Sequence, residues 1–159
     1  MTIGKRLMSN FSQVNELLQH NQQLHARTAA FYLVLSNQAQ NERIKLLLNT
    51  LVKHESEMTL SLQSYIEKAS IKILNTYFQF DHEHCVEELF LTKFDSVQIN
   101  IDDVETMATA FDDYFCHLYI EMQEAVSCEL VRDLFENLYL HMMEEKKRLS
   151  IDIYSMMDM

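Results

Sequence analysis

The chain has one glycine (Gly4), no proline and no tryptophan in 159 residues. Sandwiches, barrels and doubly wound sheets spend glycine and proline at their many turns, so these folds are excluded. Glycine-rich phosphate loops and dinucleotide fingerprints are excluded for the same reason. No apolar run approaches the roughly 20 residues that a membrane span needs. The opening residues, Met1 to Asn10, lack the apolar stretch of a signal peptide. Cysteine is scarce and odd in number: Cys85, Cys116 and Cys128, with no Cys-x-x-Cys. That pattern fits small buried thiols in a reducing cytoplasm better than a disulfide framework or a zinc knuckle.

What remains is apolar, acidic and periodic. Hydrophobic residues make up 48%, which excludes global disorder. The formal charge is −11, with 13 basic against 24 acidic groups. Residues 1–80 carry eight basic and five acidic groups, 81–105 one and eight, and 106–159 four and eleven. So acidic a surface repels phosphate backbones and anionic lipid, so neither nucleic acid nor membrane is expected as a partner.

The 3–4 spacing of apolar residues predicts an all-α fold with four long helices over about 10–36, 42–68, 102–126 and 128–156. The first stripe is Phe11, Val14, Leu18, Asn21, His25, Thr28, Tyr32 and Leu35. The second is Ile44, Leu48, Leu51, Glu55, Met58, Leu62 and Tyr65, with Asn41 as its cap. The third is Ala108, Asp112, Phe115, Tyr119, Met122 and Val126, where Asp102 to Glu105 reads as a capping box. The fourth is Val131, Phe135, Leu138, Met142, Glu145, Leu149 and Asp152, with Ser127 as cap. A short link joins helices one and two at 36–41. A long crossover, 69–101, holds a short helix near 82–92 that Asp81 caps.

The chain also resembles itself at an offset of 87 residues. Tyr32 falls on Tyr119, Glu42 on Glu129, Leu51 on Leu138, His54 on His141, Glu57 on Glu144, Leu62 on Leu149 and Ile66 on Ile153. Between 31 and 66 there are 8 identities in 36 positions, against roughly two or three expected from composition. Two equivalent helical hairpins joined by a crossover follow, and the whole chain is one domain.

Phe31-Tyr32, seven residues after His25, and Glu55 followed three residues later by Met58 carry a resemblance to the ferritin-like superfamily, in particular its rubrerythrin-type hairpins. That family implies a four-helix bundle with a Glu on the first and third helices and Glu-x-x-His on the second and fourth, around two irons. Here the corresponding positions hold His25, Glu55 with Met58, Asp112, and Met142 with Glu145. Thioethers are poor iron ligands, so the resemblance implies a di-iron site that has degenerated.

His25, Glu55, Asp112 and Glu145 nevertheless fall one on each core stripe, where carboxylates are rare unless paired or metal-bound. Two readings stay open: a buried polar network with no cofactor, or a single divalent ion (Fe, Mn or Zn) on these four residues. His54 and His141 flank the candidate site. Asp81-His82-Glu83-His84-Cys85 is a second, surface candidate for metal, or simply a helix start. Met58, Met122 and Met142 would suit an apolar ligand cavity. Nucleophilic catalysis has little support, since Cys116 and His117 are adjacent and do not face each other on a helix.

Residues 10–41 hold eleven Asn or Gln and only two charges, Glu16 and Arg27. Such a face can meet another protein with little charge desolvation. A homodimer or a protein partner on the first helix is the expected association. The functional expectation is a non-enzymatic binding or assembly module, with a metal-binding redox or iron-handling protein as the alternative.

Overall fold

The computed structural model describes residues 12–78, 86–91 and 95–157. Among them run β1 (Ser12–Gln13), α1 (Val14–Gln38), α2 (Glu42–Lys68), α3 (Ile71–Leu74), β2 (Tyr77–Phe78), a 3₁₀ turn (Val86–Phe90), α4 (Ile101–Ala125) and α5 (Glu129–Met157). The fold is all-helical apart from the two-residue antiparallel ladder of β1 and β2, which pairs Ser12 with Phe78 and Gln13 with Tyr77. No helix among the described residues is long and apolar enough to cross a membrane.

Each long helix buries the stripe that its periodicity marks. Cross-helix contacts fix the directions. Ser36 donates to Asn49 Oδ1, while Gln22 reaches Gln63, so α1 and α2 are antiparallel. Asn21 meets Met122, while Tyr32 packs edge-on against Phe111, so α4 also opposes α1. Lys146 on Asp113 and Met143 near Cys116 join α5 to α4 in a second antiparallel hairpin. Hence α2 and α4 run the same way, which only a connection along the bundle's length allows. That connection is tied at three heights to α1 and the link that follows it. Val14 N–H donates to Thr76 at one end, Arg27 grips Glu87 midway, and Gln40 N–H donates to Val97 at the other end.

The 87-residue offset reappears in the geometry. Val14 maps onto Ile101, Gln38 onto Ala125 and Glu42 onto Glu129, so both hairpins start, turn and resume at equivalent positions. The offset also exchanges two apolar clusters at opposite ends of the bundle. Leu24, Tyr119, Phe135 and Leu62 belong to one; their equivalents Phe111, Tyr32, Leu48 and Leu149 belong to the other. Between them lies a buried polar layer: Asn21, His25, Thr28, Glu55, Asp112 and Glu145.

Several boundaries differ from expectation. The first helix opens at Val14, because Ser12 and Gln13 are extended and paired with the returning chain; its expected opening and Phe11 lie outside the described residues. It runs through Gln38, so the link shrinks to 39–41. The third helix is capped by Asn100, not Asp102. The Asn100 side chain accepts from Asp103 N–H at 2.9 Å, and Asp103 accepts from Asn100 N–H at 3.1 Å, a reciprocal box two residues earlier than expected. The fourth opens at Glu129, which puts Cys128 rather than Ser127 at the cap position. Near its end Ile153 is buried where Asp152 was expected. The short helix of the crossover is the five-residue 3₁₀ turn at 86–90; its expected cap, Asp81, lies outside the described residues. Asn41 caps α2 as expected, accepting from Arg43 and Ile44.

Candidate functional site

Within the polar layer each long helix supplies one titratable side chain: His25, Glu55, Asp112 and Glu145. His25, on α1, is wholly buried. Its Nδ1–H donates to Glu55 Oε2 at 2.6 Å, and its Nε2 meets the Tyr119 hydroxyl at 3.0 Å. The ring stacks on Phe115, with centroids 3.7 Å apart and planes 13° from parallel. Every polar atom of the imidazole is therefore satisfied inside the protein. Burial holds the Tyr119 phenol well above its ordinary pKa, so it stays protonated beside His25.

Glu145, on α5, is held from the rim. Arg148 donates to its Oε1 at 3.3 Å, and His141 lies 3.8 Å from the same oxygen. His54 Nδ1 comes within 3.2 Å of Oε2. That approach lacks hydrogen-bond direction, and Glu145 Oε2 is a buried oxygen without a hydrogen-bond partner. Asp112, on α4, feels the positive charge of Lys146, which is itself engaged by Asp113. Burial first, then the neighbouring carboxylate of Glu55, pushes its carboxyl up to about 8.

These groups border one small cavity. It measures about 10 Å³, and Glu55, Asp112, Glu145, His54, Met58 and Met142 are among its walls, with Tyr32 alongside. That is close to the smallest space that holds one water molecule. An organic ligand, for which Met58, Met122 and Met142 were considered, has no room there.

The layer thus unites all four candidates but separates their roles. Glu55, Asp112 and Glu145 face the cavity. His25 does not line it: both nitrogens are turned to Glu55 and Tyr119, which places the ring behind Glu55. His54, placed at the periphery by sequence, lines the cavity; His141 stays at the edge. Among the described residues no three His, Cys, Asp or Glu side chains converge tightly enough to hold an ion as they stand. The Asp81–Cys85 cluster lies outside the described residues. Of the cysteines expected to be buried, Cys116 is and Cys128 is exposed. Tyr119 and Arg148 carry contacts that the sequence pattern did not single out. A tyrosine on a core stripe was the available signal, since a buried hydroxyl seeks a partner.

The chain matches no protein-family model, no curated protein and no solved structure.

Proposed function

We propose that the chain is a ferritin-like bundle whose di-iron site has degenerated, working in the cytoplasm as a non-enzymatic binding or assembly module. Its antiparallel hairpins, joined lengthwise so that α2 and α4 run in parallel, support the bundle topology. One observation carries the loss of iron chemistry. His25 spends both nitrogens on Glu55 and Tyr119, while Met58 and Met142 occupy the positions where imidazole and carboxylate would be needed. Thioethers do not complete a hard, oxygen-rich iron shell. Free thiols at Cys116 and Cys128 favour a reducing compartment. The acidic exposed positions of α4 and α5 disfavour nucleic acid as the partner.

The test is metal content after growth in medium supplemented with iron, manganese and zinc, without chelator or affinity tag. The module reading expects no stoichiometric metal in the wild-type chain or in Glu55→Gln. About one metal per chain, lost in Glu55→Gln, overturns it.

A second reading rests on the orphaned Glu145 Oε2. A single divalent ion beside the cavity would give that oxygen a partner and would draw Asp112 into its ionised form. Glu55, Asp112, Glu145 and His54 are the donors, and they would have to converge on the ion.

A further inference from the structure

Helix α1 presents a second, outward seam. Gln19, Gln23, Ala26, Ala30, Leu33 and Asn37 are all exposed, and they follow one another at intervals of four, three, four, three and four. That is the spacing of a coiled-coil contact line, here running about 27 Å along the surface at 1.5 Å per residue. None of the six is charged. The exposed positions of α4 and α5, by contrast, include Glu105, Glu124, Asp133, Glu136 and Glu144.

About the seam's midpoint at residue 28, Ala26 stands opposite Ala30, Gln23 opposite Leu33, and Gln19 opposite Asn37. In an antiparallel twofold pair about that point each of these contacts occurs twice. We infer that α1 is the contact helix of a homodimer, in which two copies cross antiparallel with Ala26 against Ala30 of the second chain.

Charge selects the occupant. Two copies of a chain with net charge −11 repel wherever acidic faces meet, and this seam brings two copies together without apposing carboxylates. The alanines let the backbones approach closely, and the amides of Gln19 and Asn37 can hydrogen-bond each other across the ends. Arg27, beside the seam, is neutralised by its two-pronged pair with Glu87 and lies over the Phe90 ring at 3.9 Å. Direction follows from Glu16, one turn before Gln19. A parallel pair would set Glu16 against Glu16, whereas the antiparallel pair sets it against Gln40. Antiparallel helix dipoles favour the same choice.

This inference rests on the assembly reading and names its partner. A single helix pair is at the small end of stable interfaces, so the dimer should be followed at concentrations up to on the order of 100 μM. Sedimentation of the full chain is expected to show a monomer–dimer equilibrium. Ala26→Glu should abolish it, and Ser56→Glu on the exposed face of α2 should leave it intact. Both sites are exposed, so the helical circular dichroism should be unchanged. In a Cys85→Ser/Cys128→Ser background, an Ala26→Cys chain mixed with an Ala30→Cys chain should form the cross-chain disulfide. Either variant alone should not. A monomer at every concentration, a dimer indifferent to Ala26→Glu, or an Ala26→Cys chain that links to itself overturns the inference. Metal analysis of the same preparations separates this from the broader reading. A metal-free monomer removes the homodimer and leaves a module with another partner; a metal-loaded dimer removes the module and leaves the seam.

Discussion

His25 and Glu55 face each other across the first hairpin at 2.6 Å, Nδ1 to Oε2, with the imidazole wholly buried. Tyr119 reaches the other nitrogen from the second hairpin. This Glu–His–Tyr line is a polar tie between the two hairpins, beside the contacts of His54 with Glu145 and of Asn21 with Met122.

Tyr119→Phe removes the hydroxyl and leaves a buried nitrogen unpartnered. The expected loss of unfolding free energy is about 1–3 kcal/mol. Glu55→Gln keeps an acceptor for Nδ1–H and should cost less. Chemical denaturation of the two single variants and the double variant should reveal non-additivity of about 0.5–3 kcal/mol, since both act on one ring. Strict additivity would mean that the line is not connected through His25.

Asp112 gives the protein a particular pH dependence. Its carboxyl is raised from 3.8 to about 8 by burial and by Glu55. Between these values the folded protein keeps a proton that the unfolded chain releases, so stability falls as pH rises. The contribution is complete below about pH 4 and is lost progressively up to about pH 8. Its slope is at most about 1.4 kcal/mol per pH unit. Asp112→Asn should remove that slope, so that the variant gains on the wild type as pH is raised from 5 to 8. Parallel curves in urea titrations across this range would refute the assignment.

Asn21 is buried with only a 3.5 Å contact from its amide to the Met122 sulfur, and its Oδ1 has no hydrogen-bond partner. A leucine of similar size needs none. Asn21→Leu is expected to be neutral or stabilising by about 1 kcal/mol, read as an unchanged or higher midpoint of thermal unfolding. A marked loss would show that the amide has a partner of its own.

The caps separate two sequence patterns that look alike. Asn100→Ala should cost about 1 kcal/mol, since it breaks a reciprocal box. Asp102→Ala, one residue inside the helix and exposed, should stay within about 0.5 kcal/mol. The reverse order in denaturation experiments would restore the later start.

The repeated stripes were legible because burial follows the helical period. Val14 through Leu35, Ile44 through Leu62 and Val131 through Leu149 are inside as their spacing dictates. The cap of the third helix was not legible, because Asn100-x-x-Asp103 and Asp102-x-x-Glu105 both fit the pattern. Only the placement of Ile101 in the first turn decides between them. At the site, periodicity could say that His25 points inward, but not which of its neighbours its nitrogens reach. That depends on Tyr119, 94 residues away. His54 sits one position off its stripe, yet it lines the cavity because its ring extends toward Glu145 on α5.

The exchange of the two apolar clusters under the 87-residue offset has a consequence for fidelity of pairing. By apolar pattern alone, each hairpin could mate with a copy of itself from another chain as well as with its own companion. The central layer distinguishes the outcomes, because there the two hairpins differ: His25 against Asp112, Glu55 against Met142, Met58 against Glu145. Two second hairpins would gather Asp112 and Glu145 twice over, four carboxylates without a His25 among them, and uncompensated buried charge is strongly unfavourable. The mixed pair alone sets one imidazole among three acids and two thioethers. The layer at the middle of the bundle therefore disfavours the pairing of two second hairpins, and the crossover keeps the native companion within reach.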